Sequence, residues 1–497
     1  MKVDITKWQM SNMWRMPSGE LCVRPGLRRI YTPSSREIVG GFSIKNAKTA
    51  ETWHYIWDVA TSGSLDCRLR ILDDDWQTFQ IYVYNANVRP RGLSYARVLG
   101  QMLLCSPDLP TLWGYEGSGA RLAEAVESES GSEVIDVPRG IVTSWNNRAV
   151  IFDGDSMYAS DPLAFGGGDL RSFIGENKNQ RPGVVYGAHE GAGHMLVVAT
   201  SVGVYGLESA ASAVAIVGAN GTAWRILSHA ECASYDSTCV VDGRVYGLTK
   251  NGMMAIDTED GEETTLTEPY MPRAYGPRVS LEDYRAATML AGESGPIVAI
   301  PSQNVAHFAD RETGFGGWWR SAVTPTAFKV VGVLRDAGGG DMLLCSNGVY
   351  RVTGDFDGET ALSSGVATQP NGFCFAPMPS SPSSNNLVRG VHVGADVGAG
   401  GSVFAAVRGA GLPASTGTTG VNDEEGIIIG TDAWGTATKR YVTSSLQAVR
   451  FISSQQAAVA TDDVTIEVGA STCLTRIQPV VEVDLSGSAP LRPAKEV

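Results

Sequence analysis

The chain has 497 residues, of which 43% are hydrophobic, only 19% are charged and 58 are glycine. Its formal net charge of −14 at pH 7 argues against a protein that binds nucleic acid or an anionic membrane through a basic face. The negative charge is compatible with a conduit through which DNA passes, because an acidic wall repels the phosphates and does not bind the DNA.

The first ten residues, MKVDITKWQM, lack the charged and apolar regions of a signal peptide. No stretch of the sequence is long and apolar enough to span a bilayer. The eight cysteines show no CxxC or other metal-ligand spacing, and we expect reduced structural thiols in a protein made in a cytoplasm. They are Cys22, Cys67, Cys105, Cys232, Cys239, Cys345, Cys374 and Cys473.

Near the N-terminus, residues 19–30 form a strand, turn and strand pattern in which Pro25–Gly26 fits a type II turn. Alternating strand patterns follow over residues 38–101, for example in Thr78–Tyr84. Asp73–Asp75 suggests calcium, but its neighbours lack the alternating oxygen ligands and the glycine of a calcium loop. We therefore predict a solvated turn there.

The central part of the chain repeats a short apolar strand. Met102–Ser106 and Met342–Ser346 are the same five residues, MLLCS, and related strands start near residues 148, 195, 244 and 297. The intervals are 46, 47, 49, 53 and 45 residues. A period near fifty built of short strands is typical of propeller blades, so we predict an all-β chain whose β-propeller has about six blades.

Two copies of this repeat predict hairpins. Residues 149–152 and 195–200 each lead through a turn of small residues into a second strand. Between these hairpins, residues 161–191 are rich in glycine, proline and asparagine and are predicted as loop.

Helical patterns are scarce, with residues 120–128 the best candidate and 281–290 a weaker one. A proline- and serine-rich run after Pro377 is typical of a linker, and alternating strands follow it. We predict an N-terminal β segment (1–35), the propeller (36–376), the linker (377–386) and a C-terminal β platform (387–497).

No motif in the sequence points to catalysis. His189–His194 resembles a zinc motif, but its histidines are five residues apart and two glycines disfavour a helix. Trp318–Trp319 is either blade packing or an exposed recognition patch. Carboxylates from distant blades could still meet in space. We predict no catalytic, cofactor-binding or metal-binding residues and no enzymatic activity.

Five phrases of the sequence resemble the tail nozzle proteins of short-tailed bacteriophages, also called tail tubular protein B, and more loosely phage DNA-stabilisation tail proteins. Together these phrases span residues 19–350. They are Gly19–Gly26; Gly100–Leu104 with Ser106–Pro107; Asn147–Arg148 with Ser160–Pro162 and Asp169–Phe173; Met195–Leu207; and Val240–Tyr246 with Asn251–Gly252.

The resemblance implies a structural protein of the virion tail, made in the host bacterial cytoplasm. Six copies would form a ring that docks on the tail adaptor below the portal and continues the DNA channel. The ring would retain the genome before infection and anchor fibres or spikes, while DNA passes through it without specific contacts. No cofactor and no membrane insertion is implied.

Two alternatives stay open. One is a propeller that binds or cleaves glycans, which predicts acidic and aromatic residues clustered at one end of the propeller. The repeated Asp boxes of sialidase propellers are absent from the sequence. The other is a non-viral propeller scaffold for protein partners.

Overall fold

The structure is a computed structural model of the full chain. The residues that it describes are 2–4, 10–15, 19–23, 27–46, 49–63, 66–116, 119–123, 126–127, 134–135, 138–154, 156–160, 173–174, 183–191, 194–207, 224–249, 252–258, 263–265, 281–292, 295–300, 305–308, 318–319, 330–352, 372–377, 384–397, 402–408, 415–421, 445–452, 458–459, 465–470 and 476–490.

The described residues are almost entirely strands, with one short helix. The strands up to the third blade are β1 (Lys2–Asp4), β2 (Met10–Ser11), β3 (Met13–Arg15), β4 (Leu21–Val23), β5 (Leu27–Tyr31), β6 (Arg36–Lys45), β7 (Thr52–Ala60), β8 (Asp66–Leu72), β9 (Thr78–Asn87), β10 (Ser94–Val98), β11 (Gln101–Ser106), β12 (Leu109–Tyr115), β13 (Ala120–Leu122), β14 (Val126–Glu127), β15 (Val134–Ile135), β16 (Ile141–Trp145), β17 (Arg148–Asp153), β18 (Ser156–Ser160) and β19 (Phe173–Ile174).

The next strands, to the end of the propeller, are β20 (Val185–Glu190), β21 (Leu196–Thr200), β22 (Val204–Leu207), β23 (Arg225–Ser228), β24 (Thr238–Val241), β25 (Arg244–Thr249), β26 (Gly252–Asp257), β27 (Glu263–Thr265), β28 (Thr288–Ala291), β29 (Pro296–Ile300), β30 (Val305–Phe308), β31 (Trp318–Trp319), β32 (Val330–Arg335), β33 (Asp341–Cys345) and β34 (Gly348–Val352). The helix α1 (Leu281–Ala286) precedes β28.

The C-terminal strands are β35 (Gly372–Pro377), β36 (Ser384–Val397), β37 (Ser402–Arg408), β38 (Ser415–Val421), β39 (Ser445–Ile452), β40 (Ala458–Val459), β41 (Thr465–Ala470), β42 (Arg476–Ile477) and β43 (Val480–Pro490).

The described part of the chain contains a β-propeller of seven four-stranded antiparallel units. Blades one to six run in chain order as β6–β9, β10–β13, β16–β19, β20–β23, β24–β27 and β28–β31, and blade seven is β32–β34 followed by β5. Each blade starts at its innermost strand.

Seven apolar clusters hold the blades together, one between each pair of neighbours. The second strand of a blade is buried on both faces because both faces pack on neighbouring blades, so most of its residues are apolar. In β21 and β29, for example, every residue is buried. Outer strands lie where the blades diverge, and Ile81 and Val83 on β9 are 44% and 47% exposed.

The ring is closed by a strand from near the N-terminus. β5 pairs antiparallel with β34, so the first propeller strand in the chain completes the last blade. Tyr350 on this blade packs in the cluster that joins blades six and seven, together with Leu27 of β5. Ile38 and Ile56 of blade one pack against Leu344 of blade seven. The two ends of the propeller are therefore joined by hydrogen bonds as well as by packing.

The N- and C-terminal strands form a common platform. In one of its sheets the order is β1-β43-β36-β42-β4-β3, with β39 and β40 also pairing with β36. A nine-stranded sheet runs in the order β28-β29-β30-β31-β2-β35-β41-β37-β38. Through β2, which pairs with both β31 and β35, blade six is hydrogen-bonded to the platform.

The fold class is as predicted, but the described residues form seven blades instead of about six. The six repeat copies correspond to the second strands of blades two to seven. The second strand of blade one, Thr52–Ala60, is equally buried but has a different sequence, with His54 and Asp58 inside it. The sequence repeat therefore does not extend to this blade.

Three local predictions were wrong. Residues 120–122 and 126–127 are strands instead of a helix. Residues 185–190 and 173–174, predicted as loop, are strands of blades four and three. In 281–290 a helix forms only over Leu281–Ala286, and Thr288 begins a strand. In the first and third cases, pairing with a neighbouring strand outweighed helix propensity.

The domain boundaries also differ from those predicted. β5 lies in the N-terminal segment 1–35 but belongs to the propeller, and β2 belongs to a sheet shared with the platform. The predicted linker 377–386 begins in β35 and ends in β36, while residues 378–383 lie outside the described residues. β5 and β2 pair with strands that lie more than 300 residues further along the chain. A division of the sequence into contiguous domains therefore separates these two strands from their sheets.

Candidate functional site

The channel of the propeller contains a cavity of about 1120 Å³. All seven innermost strands, β6, β10, β16, β20, β24, β28 and β32, contribute residues to its wall. The remaining wall comes from the segments that precede β10, β24 and β28 and from Ser201, which follows β21. The cavity thus lies on the axis of the ring, where groups from every blade converge.

A loop before β24 crosses this channel. The backbone N–H of Gly92, between blades one and two, donates to Asp236 Oδ2 at 3.0 Å. The N–H of Met289, on the innermost strand of blade six, donates to the carbonyl of Asp236 at 2.7 Å. Blades two and six lie on opposite sides of a seven-membered ring, so residues 231–237 bridge the channel.

Gly92 is required where the two segments meet. Its φ is +57°, and a Cβ there would lie 2.7 Å from Ile141 Cδ1 and 3.0 Å from Tyr235 Cδ1. A side chain would therefore push the two segments apart.

Aromatic rings support the crossing loop. The rings of Tyr186 and Tyr235 meet edge to face with centroids 5.1 Å apart, an arrangement that is favourable for the quadrupoles of the two rings. The Arg91 guanidinium carbon lies 5.3 Å from the Tyr235 ring centroid, within cation–π range. Arg91 is itself held by Asp108, whose carboxylate accepts from Nε at 3.1 Å and Nη2 at 3.2 Å.

Two titratable groups in the wall have perturbed pKa values. Burial raises the pKa of Asp236 to about 6, although the hydrogen bond from Gly92 opposes the shift. Burial lowers the pKa of His189 to about 4, so the ring is neutral at pH 7 and its Nε2 lies 2.8 Å from Thr238 Oγ1. Perturbed titratable groups that line a cavity are a general mark of binding and catalytic sites.

The charged side chains of the wall differ in their pairing. Arg89 makes a bidentate ion pair with Glu37, with N–O distances of 2.9 and 3.0 Å. Arg285, at the end of α1, is exposed and makes no hydrogen bond or ion pair among the described residues. It lies two positions before Ala287, whose carbonyl accepts from Ser234 of the crossing loop.

The aspartate run behaves as the predicted turn. Asp73 Oδ1 accepts from the backbone N–H groups of Asp75 at 3.1 Å and Gln77 at 2.8 Å. The Asp74 carboxylate accepts from the N–H of Thr52 at 3.1 and 3.2 Å. All of these bonds come from backbone N–H groups.

The zinc-like segment is split by its surroundings. His189 faces the channel beside Thr238, whereas the exposed His194 has its Nδ1 2.5 Å from Glu190 Oε1. Residues 192–193 lie outside the described part. Among the described residues, no three histidine, cysteine or acidic side chains are grouped so that they could hold a metal ion.

Six of the cysteines are free and buried in the described structure, namely Cys22, Cys67, Cys105, Cys232, Cys239 and Cys345. The side chains of Cys374, Cys473, Trp318 and Trp319 lie outside it. No helix among the described residues is long and apolar enough to cross a membrane.

The cavity residues share no pattern in the sequence. Tyr186, Tyr235, Asp236 and Arg285 come from three blades and share no motif, because a propeller brings distant segments to one axis. Asp236 has a φ of 60°, which aspartate adopts more readily than most residues, but this conformation is visible only in the structure.

Comparison with known proteins gave structural neighbours only. No protein-family model matches the sequence, and no curated protein matches it. Among solved structures, the chain is similar to YCF48 bound to D1 peptide, with 13% identity, a TM-score of 0.39, and coverage of 69% of this chain and 99% of that one.

Two further neighbours are surface proteins by their names. The extracellular domain of the putative one component system BT4673 from B. thetaiotaomicron has 10% identity and a TM-score of 0.42, with 82% of this chain and 57% of that one covered. PorZ of Porphyromonas gingivalis, a bacterial surface component of the type-IX secretion system, has 10% identity and a TM-score of 0.39, with 78% and 46% covered. The chain thus spans about half the length of these two structures.

Proposed function

We propose that this protein is a structural component of a short-tailed phage tail, the nozzle that its sequence resembles, and that it has no enzymatic activity. Six copies form a ring that continues the DNA channel, holds the genome before infection and binds the adaptor on one side and fibres or spikes on the other.

The observation that carries this proposal is the sheet shared by propeller and platform. Blade six continues through β2 into β35, β41, β37 and β38 without a break in strand pairing. A hydrogen-bonded sheet resists relative movement of its strands, so the propeller and the platform move together. A subunit that withstands the pressure of packaged DNA needs this kind of continuity.

The crossing loop bears on the path of the DNA. Residues 231–237 bridge the channel of the propeller, so a duplex has no passage along the axis of a single copy. In this proposal the DNA passes through an opening formed between copies, and the acidic surface of the chain, with its net charge of −14, keeps the phosphates from adhering.

Electron microscopy of virions of the phage that encodes the chain tests the proposal. Virions would be labelled with Fab fragments raised against the purified chain, and Fab fragments from pre-immune serum would serve as the control. We expect six-fold label at the distal end of the tail. Label on the capsid, or none on virions that contain intact tails, would overturn the nozzle role.

A further inference from the structure

We propose that the channel cavity is a binding site for a saccharide that carries a carboxylate, such as an oligomer of uronic acids. The groups that would bind it are Arg285, Asp236 and the tyrosine pair Tyr186 and Tyr235, all of which line the cavity. This site does not depend on the nozzle role, and either can be wrong without the other.

The cation of the site is Arg285. Its guanidinium has no partner among the described residues, whereas Arg89 and Arg91, in the same wall, are both paired with carboxylates. A planar guanidinium presents two parallel N–H groups that match the two oxygens of a carboxylate. The unpaired arginine therefore calls for an anionic group on the ligand.

The neighbouring groups suit hydroxyls. Asp236 accepts one protein hydrogen bond, through Oδ2, and its Oδ1 has no partner in the described structure. The hydroxyls of Tyr186 and Tyr235 likewise make no hydrogen bond to the described residues. Carboxylate oxygens and phenolic hydroxyls that line a cavity without protein partners accept from and donate to the hydroxyls of a sugar.

The shape of the site suits a sugar ring. Tyr186 and Tyr235 pack edge to face on each other and both line the cavity, so they present aromatic surface of the kind that packs on the apolar faces of pyranoses. The cavity of about 1120 Å³ is slightly larger than the roughly 300–1,000 Å³ found for small-molecule sites. A ligand of a few sugar units fills such a volume better than a single metabolite.

The segment that carries Arg285 is fastened to the crossing loop. Ala287, two residues further on, accepts from Ser234, and Met289 donates to the backbone of Asp236. Arg285 and Asp236 therefore belong to two connected segments, and both residues line the same cavity.

The test is binding of a panel of uronate trimers (galacturonate, guluronate, mannuronate and glucuronate) to the full chain, first by saturation-transfer NMR and then by calorimetry at low salt. The methyl ester of each trimer that binds serves as the matched ligand, because it keeps the ring and hydroxyls and loses the charge. We expect at least one trimer to bind and its ester to bind at least tenfold more weakly.

Variants assign the binding to this cavity. Arg285→Gln should lower the affinity by tenfold or more, and Tyr235→Phe should lower it less, since only one hydroxyl is removed. Arg139→Gln is the matched control, because Arg139 is exposed and lies outside the cavity wall. Arg285 is on the surface, so its loss leaves the fold intact, which circular dichroism checks. If no trimer binds, or if Arg285→Gln binds as well as Arg139→Gln does, the proposal is wrong.

Discussion

The buried ion pairs of blade one should be essential to the closed ring. Asp58 is fully buried, with 0% of its side chain exposed, and it contacts both Arg36 and Arg70, whose side chains are 7% and 15% exposed. The charge of Arg70 also acts on Tyr31 of the closing strand β5, where it opposes the rise that burial causes in the Tyr31 pKa. We expect Asp58→Asn to destabilise the junction between blades one and seven.

The size of this destabilisation depends on which hydrogen-bond and ion-pair partners Arg36 and Arg70 keep when Asp58 is replaced. Arg36 retains Asp66, with Nη1 to Oδ1 at 2.9 Å and Nη2 to the backbone carbonyl at 2.7 Å. Arg70 is left with Tyr31 but without its carboxylate. Breaking a buried ion pair by removing one partner costs about 3–5 kcal/mol, and because only one of the two cations is stranded we expect about 3 kcal/mol.

Urea unfolding followed by tryptophan fluorescence measures this loss in the free energy of unfolding. Asp75→Asn is the matched control, because Asp75 is exposed and its side chain makes no contact in the described structure. A variant in which Arg36, Asp58 and Arg70 are all replaced by apolar residues should recover part of the loss, since no charge is left unpaired. A loss below about 1 kcal/mol for Asp58→Asn would show that water compensates the arginines and would refute the reasoning.

Three further predictions concern other parts of the ring. Gly348→Ala should lower the free energy of unfolding by about 1–3 kcal/mol, because its Cβ would meet the backbone carbonyl of Tyr31 in β5. Gly338→Ala, whose Cβ would point into open space, is the control. Equal urea midpoints for the two variants would contradict the closure of the ring by β5. Because burial raises the pKa of Asp236 from 3.8 to about 6, its contribution to stability is present below pH 4 and is lost as the pH rises through 6. Asp236→Asn should therefore be more stable than the natural chain by about 3 kcal/mol at pH 8 and equal to it at pH 3.5, and a difference that does not change with pH would disprove the shift. Burial raises the pKa of Cys22 to about 11 and of Cys67, Cys105 and Cys232 to about 12. At most two of the eight thiols, Cys374 and Cys473, should therefore react quickly with a disulfide reagent in the native protein, because the other six are buried. Three or more fast thiols would contradict this burial.

The propeller could be predicted from the sequence because its second strands repeat the same environment. A strand with neighbours on both faces is buried, which favours apolar residues, and Met102–Ser106 and Met342–Ser346 have the same sequence. Blade one escaped detection because its second strand carries a buried charge and a buried histidine. Asp58 satisfies two arginines, and His54 stacks on Trp76 with ring centroids 4.4 Å apart.

The candidate site could not be predicted because none of its contacts is local. Gly92 and Asp236 are 144 residues apart, and their hydrogen bond exists only once the three intervening blades have assembled into the ring. The same reason hid the role of β5, whose partner β34 lies at the other end of the propeller. Local patterns specify strands, but the order in which a ring brings them together is a property of the whole chain.

The strand that closes the ring also has a consequence for synthesis of the protein on the ribosome. β5 is translated early, yet its partner β34 follows about 300 residues later, which at about 5–20 residues per second takes roughly 15–60 s. Throughout that time Leu27 and its neighbours have no blade to join, while blades one to six are already emerging. Chaperones that bind nascent chains would therefore find a long-lived target in β5, and codon changes that slow translation between residues 60 and 330 would lengthen the exposure of this strand.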